Sequence, residues 1–233
     1  MTTAATPASA FRLEHDLLGE VQVPAQALYG AQTQRAISNF QITGRTMHPQ
    51  MIRSIGMVKK ASAYCNNQCG FLDDQRLKWI MEACDEVIAG KLNEWFITDC
   101  IQGGAGTSFN MNANEVIANR AAQLAGKPIG TYDYIHPNDH INFGQSTNDV
   151  FPTAGRLTCL TLVEQLIQQL NELQQSLLNK AKEFDDVIKM GRTHLQDAVP
   201  IRLGQEFHAY ATMVGRDIKR IRIAFNDLKA VNM

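Results

Sequence analysis

Three short stretches of the sequence concentrate side chains that can hold charge or move protons. Gly103-Gly104-Ala105-Gly106-Thr107-Ser108 is a run of small residues leading into a helical pattern. Backbone N–H groups and two hydroxyls can there approach an anion at a positive helix end. The run lacks the Lys-Ser/Thr ending of a nucleotide P-loop and the third glycine of a dinucleotide fingerprint, which leaves a carboxylate site or a plain tight turn. Gln145-Ser146-Thr147-Asn148-Asp149 sets four neutral hydrogen-bonding side chains beside one acid, a composition suited to a substrate with several oxygens and a charge. A capped loop before a helix, with Asp149 or Thr153 as the cap, is the alternative reading. The glycine that would close a nucleophile elbow around Ser146 is missing. Arg192-Thr193-His194 adds a histidine that can donate to a carboxylate or shuttle a proton near neutral pH; a surface-loop histidine is the alternative.

Other clusters read as structural. His136 and His140 are four apart, as zinc ligands on a helix would be, but Pro137 and the polar run between them indicate a loop. Cys65 and Cys69 share that spacing without a second pair, and are expected to be buried small hydrophobes. Five cysteines, an odd count with no export signal, do not suggest a disulfide framework. The sequence calls for no metal and no cofactor. With 22 basic and 23 acidic residues it has no general field for nucleic acid or an anionic membrane, so neither is an expected partner. Its densest basic stretch, 219–222, falls on a helical pattern as a solvated face. No run approaches the ~18 apolar residues of a membrane span. Residues 1–10 lack the basic start and apolar run of a secretory signal, so a disordered tail and a cytoplasmic protein are expected.

The elements that must carry these stretches are mostly helical. A chain of 233 residues, 45% hydrophobic, can bury one large domain or a domain and part of a second. Residues 11–40 are irregular, with turn signals at Gly19, Pro24 and Gly30, and suit short strands as well as helix. His48-Pro49 opens a helix whose apolar positions are Met51, Ile52, Ile55, Val58 and Tyr64. Asp73 or Asp74 caps a second, with Leu77, Ile80, Met81, Cys84, Val87 and Ile88 on its apolar face and Gly90 as its stop. A third is expected over 112–124, with Glu115 closing a capping box on Asn112. The span 137–149 reads as a polar loop. After Pro152 an apolar stripe from Leu157 to Phe184 predicts one helix of about thirty residues, ~45 Å long, which implies a bundle. A loop with Gly191 and Pro200 follows, then a stripe from Leu203 to Leu228 that stays in register to the end with no stop signal. Truncation is the expectation, because two long helices cannot close a bundle alone.

Taken together, three motifs resemble the aspartase/fumarase superfamily: GGAGTSFNMNANEVIANRA over 103–121, HPNDHINFGQSTNDVFPT over 136–153, and KMGRTHLQDAVPIRLGQEF over 189–207. GGAGTS, the histidine in NDH, STND and DAVP look like aspartase, where class II fumarases typically read GSGT, NDD, SSND and DATP. The resemblance implies a mainly α fold: an N-terminal, mostly helical lyase domain over 11–148, then over 149–233 the first two long helices of a truncated central bundle. It implies a homotetramer with sites shared among three subunits, and an ammonia-lyase converting L-aspartate to fumarate by anti elimination through an enediolate carbanion. Carried over by motif, Thr107, Ser146, Thr147, Asn148 and Thr193 would bind the substrate, and His194 would donate to a carboxylate or take part in proton transfer. His136, Asn138 and Asp139 match a secondary anion site of fumarases. The family's general base, a serine on a GSSxMPxKxN loop, would lie beyond Met233. A class II fumarate hydratase, or a non-catalytic helical fragment, are the rival readings.

Overall fold

The computed structural model describes residues 10–233; the tail expected over 1–10 lies, except for Ala10, outside the described residues. The chain divides into two compact units, one of residues 1–158 with Val231–Met233 and one of Cys159–Ala230.

The first unit opens with an antiparallel hairpin, β1 (Phe11–Asp16) and β2 (Gly19–Pro24), followed by the short helix α1 (Ala31–Asn39). The ambiguous stretch 11–40 therefore contains both strand and helix. Arg12 holds the hairpin to α1, donating to the carbonyls of Pro24, Ala27 and Tyr29 and to Glu14. Helix α2 (Pro49–Gln68) starts as its sequence requires: Pro49 fills the first turn and His48 Nδ1 accepts from Gln50 N. Helix α3 (Asp74–Ile88) is capped by Asp73, which accepts from Arg76 N, and Gly90 takes the left-handed conformation beyond its end. Ile80, Cys84 and Val87 of α3 and Ile55 of α2 are fully buried, as the 3.6-residue pattern dictates. Cys65 and Cys69 are exposed rather than buried, and Tyr64 is half exposed, because the last turns of α2 extend past the core.

Helix α4 (Thr107–Leu124) is the centre of this unit, with Phe109, Ala113, Val116, Ile117, Ala118 and Ala121 fully buried. It begins at Thr107 and not at Asn112, and it is the N-terminal residue Gly106, without a side-chain cap, that precedes it. The capping box expected between Asn112 and Glu115 is absent because both side chains are buried and bonded elsewhere. The span 137–149 is not wholly a loop: Pro137–Ile141 forms one π turn, and helix α5 (Thr147–Glu183) starts ten residues ahead of the apolar stripe. Pro152 lies inside α5 and cannot donate to the Asn148 carbonyl, yet buried Val150 and Ala154 on either side carry the helix through.

The second unit contains most of α5, a hairpin of β3 (Ile188–Thr193) and β4 (Gln196–Arg202), and helix α6 (Leu203–Leu228). The stretch expected to be a loop is thus a strand pair, in register from Ile188↔Arg202 to Thr193↔Gln196 with a bulge near Gly191. A Cβ on Gly191 would lie 2.8 Å from the Val199 carbonyl, so the bulge requires glycine. α5 and α6 pack antiparallel: Phe184 meets Phe207 at 5.4 Å between ring centres, and Gln174 Nε2 donates to Ala211 O. Helix α6 closes at Leu228, with Lys229 as its cap, short of the chain's last residues. No helix among the described residues is long and apolar enough to cross a membrane.

Candidate active site

A helix buried on every side must find a partner for each polar side chain it carries. In α4 those side chains pin the surrounding segments. Asn112 accepts from Ile97 N and donates to Trp95 O; Asn119 donates to Leu28 O and accepts from Gly130 N. Glu115 accepts from the Gly30, Gln32 and Thr33 N–H groups at 2.8, 2.8 and 3.1 Å, and from the Thr33 hydroxyl at 2.6 Å. A carboxylate is thereby buried at the N-terminus of α1, where four donors oppose the burial that pushes its carboxyl up to about 7. Gly30 admits no side chain: a Cβ there would be 2.1 Å from the Tyr132 hydroxyl.

The residues ahead of α4 form a left-handed run, with φ of 68° at Gly104, 49° at Ala105 and 98° at Gly106. The turn needs glycine at 106 twice over, for the positive φ and because a Cβ would lie 2.4 Å from the Phe151 ring. Its geometry delivers Thr107, exposed, to the first position of α4. The Thr107 hydroxyl donates to the Gly104 carbonyl at 2.6 Å, which leaves its lone pairs to accept from a ligand N–H.

Ser146, rather than Asp149 or Thr153, caps α5: its Oγ accepts from Asn148 N at 3.3 Å and its carbonyl accepts from Asp149 N and Val150 N. Thr147 and Asn148 form the first turn of that helix. Thr147 Oγ1 accepts from Asn110 Nδ2 of α4 at 3.0 Å, and Phe151 lies against Gly106. The N-termini of α4 and α5 therefore converge, bringing Thr107, Ser146, Thr147 and Asn148 to one side of the first unit. Two such ends supply positive potential for anionic groups.

Behind the loop is a buried lysine. Lys59 of α2 is 0% exposed, and its Nζ donates to Asn142 Oδ1 at 2.8 Å and Gln145 Oε1 at 2.9 Å. Burial pushes its ammonium down to about 7. Asn142 Oδ1 also accepts from Asn110 Nδ2 at 3.1 Å, so α2, α4 and the segment before α5 share one hydrogen-bonded network. Sequence reasoning passes over Lys59, Asn110 and Asn142. A signal existed for the first: residue 59 continues the stripe Ile52, Ile55, Ser62, Ala63 of α2, where a lysine is out of place unless bonded.

Thr193 and His194 belong to the second unit. They stand at the two-residue turn between β3 and β4, where His194 and Leu195 take φ of 50° and 60°. Both are exposed, and neither is the glycine or asparagine that such a turn favours. His140 Nδ1 accepts from His136 N, and His136 Nδ1 accepts from the Asn138 and Asp139 N–H groups. Burial lowers the His140 pKa. His136 and Asn138 line a cleft of about 360 Å3 with Gln32, Glu115 and Tyr132.

The profile of a family described as "Lyase" matches residues 19–232. The chain belongs to this lyase family. An aspartate ammonia-lyase of a Bacillus species is 56% identical to this chain, over 95% of the chain and 47% of the relative. A class II fumarate hydratase of Halobacterium salinarum is 54% identical, over 91% of the chain and 45% of the relative. The crystal structure of a fumarate lyase:delta crystallin from Brucella melitensis superposes with a TM-score of 0.90 at 47% identity, covering 97% of this chain and 53% of that one. A class II fumarase from Schistosoma mansoni gives 0.86 at 38% identity, with 95% and 47% covered. The fold is accordingly the mainly α aspartase/fumarase fold, and the chain spans about half the length of the curated relatives it matches.

Proposed function

We propose that this chain is the substrate-gripping half of an aspartate ammonia-lyase, which converts L-aspartate to fumarate and ammonia. The observation that carries the reading is the convergence of the α4 and α5 N-termini, each with a hydroxyl residue in its first turn. A dicarboxylate bearing an amine needs donors for its oxygens and an acceptor for its nitrogen. Ser146, Thr147 and Asn148 at the head of α5 supply the first, and Thr107, whose proton is spent on Gly104, supplies the second. Proton removal from the carbon next to the distal carboxylate leaves a carbanion that this carboxylate absorbs as an enediolate, and donors fixed at that carboxylate strengthen as its charge grows. Ammonia then leaves from the opposite face. Thr193 and His194, on their hairpin, would join the grip in the assembled enzyme, His194 donating to a carboxylate or taking part in proton transfer.

The serine expected to remove the proton belongs to a GSSxMPxKxN motif, which does not occur in this sequence. Exposed Leu162, Leu166, Leu173, Tyr210, Met213 and Ile223 on α5 and α6 support a homotetramer built on these helices. A cytoplasmic location is part of the same reading, and the balanced charge gives no general field for nucleic acid or an anionic membrane.

Identity alone does not separate ammonia-lyase from hydratase, because relatives of both kinds are similar at 56% and 54%. The local letters GGAGTS, NDH, STND and DAVP favour the ammonia-lyase. Incubating the full-length enzyme with L-aspartate and following fumarate absorbance should show turnover; activity on malate but not on aspartate would reverse the choice.

A further inference from the structure

We propose that buried Lys59 is a positioning residue for this reaction: through Asn142 and Asn110 it sets the Thr147 hydroxyl as a hydrogen-bond donor to the bound dicarboxylate. The proposal rests on the function given above and assigns a role to three residues outside the substrate-binding set.

A lysine Nζ donates and, in its ammonium form, cannot accept. Asn142 and Gln145 must therefore turn their amide oxygens toward it, at 2.8 and 2.9 Å. Their nitrogens face away, and both find carbonyls: Asn142 Nδ2 donates to Gln145 O and Gln145 Nε2 to Ile141 O. With Asn142 Oδ1 so fixed, the Asn110 atom that meets it at 3.1 Å must be the nitrogen. The other N–H of the same nitrogen reaches Thr147 Oγ1 at 3.0 Å. A hydroxyl that accepts from an amide still has its own hydrogen to give. Thr147, half-buried at the head of α5, is left to give it to a ligand oxygen.

A second observation shows what this arrangement costs. Asn110 Oδ1 is buried and has no hydrogen-bond partner, an unfavourable state for an amide oxygen. Turning the amide over would aim that oxygen at the Thr147 hydroxyl and consume its hydrogen, but it would also set oxygen against oxygen at Asn142. Lys59 forbids that reversal. Since a neutral amine also has the two N–H groups used, the direction survives on either side of the lysine's titration.

The test uses the full-length enzyme and succinate, an unreactive dicarboxylate, with affinity read from competitive inhibition or calorimetry. Lys59→Met, Asn110→Asp and Thr147→Val should each weaken succinate binding about tenfold or more, the loss of one hydrogen bond to a charged group. Thr147→Ser, which keeps the hydroxyl, should stay within about threefold of the parent. The decisive reading is the double variant. If Lys59 acts through Thr147, adding Lys59→Met to Thr147→Val costs less than about twofold more. Full additivity, or Asn110→Asp binding succinate as tightly as the parent, overturns the proposal. Should Lys59→Met fail to fold, the cycle of Asn110→Asp with Thr147→Val gives the same discrimination. A parent enzyme that binds succinate but does not deaminate aspartate would defeat the proposed function and leave this relay standing.

Discussion

Glu115 and His194 both offer chemistry, and the molecule treats them in opposite ways. Glu115 is buried in the first unit with four donors on its carboxylate, and its neighbours Asn110, Asn112 and Asn119 are as deeply placed. His194 stands exposed on a hairpin turn of the second unit, held by backbone conformation and not by packing. Core burial differs in the same way: among the described residues, Ile167, Ala181, Ala211 and Ile218 are the buried hydrophobics between 159 and 230, against a continuous cluster from Val23 to Ala154 in the first unit. Glu115 is thus held by the interior of its own unit. His194 is presented outward, in a unit whose helices leave large apolar side chains exposed.

The sharpest way to break this comparison is to remove one residue from each side. Glu115→Ala strands several buried donors and should destabilise the chain by about 3 kcal/mol or more in urea denaturation. His194→Ala should stay within about 0.5 kcal/mol while impairing turnover by the full-length enzyme. Equal stability effects would erase the distinction.

A smaller effect should come from the lysine. Unfolded, residue 59 takes up a proton below its ordinary 10.5; folded, it does so only below about 7. Between those values the unfolded state binds more protons, so this group makes stability rise with pH. Cys84, whose thiol burial pushes from 9.0 to about 12, acts in the reverse sense above 9, which leaves pH 7 to 9 as the clean window. Denaturation across it should show the parent gaining up to about 1.4 kcal/mol per pH unit relative to Lys59→Met. Parallel pH profiles would mean that the lysine is not held in a desolvated site.

The smallest expected change tests the turn. Leu195 is 99% exposed and has a φ of 60°, so its side chain has little packing to lose. Leu195→Gly should relieve about 1 kcal/mol of left-handed strain and raise the melting temperature slightly. A fall in stability would show that this side chain is packed after all.

Much of this was legible in advance where local rules act alone. His48-Pro49, Asp73 and Gly90 mark helix ends through capping and backbone preference, and the apolar stripes of α5 and α6 announce long helices. Cases that depend on distant neighbours were not legible. Glu115 has the spacing of a capping box, but burial of α4 directs it to α1. Pro152 reads as a helix boundary, but packing around Val150 and Ala154 overrides it. The segment 188–202 carries a glycine and a proline yet forms a strand pair, because its bulge and two left-handed residues accommodate what propensity disfavours.

By itself the sequence determined the helical class, the long rods and which small and hydroxylated residues gather around them, since periodicity and residue chemistry are properties of neighbours along the chain. Only the tertiary structure decided that the heads of α4 and α5 meet, that Lys59 lies behind them, and which end of each amide faces which partner. Those facts depend on residues up to about ninety positions apart, such as Lys59 and Gln145, and a hydrogen bond has a direction only when both of its ends are in place.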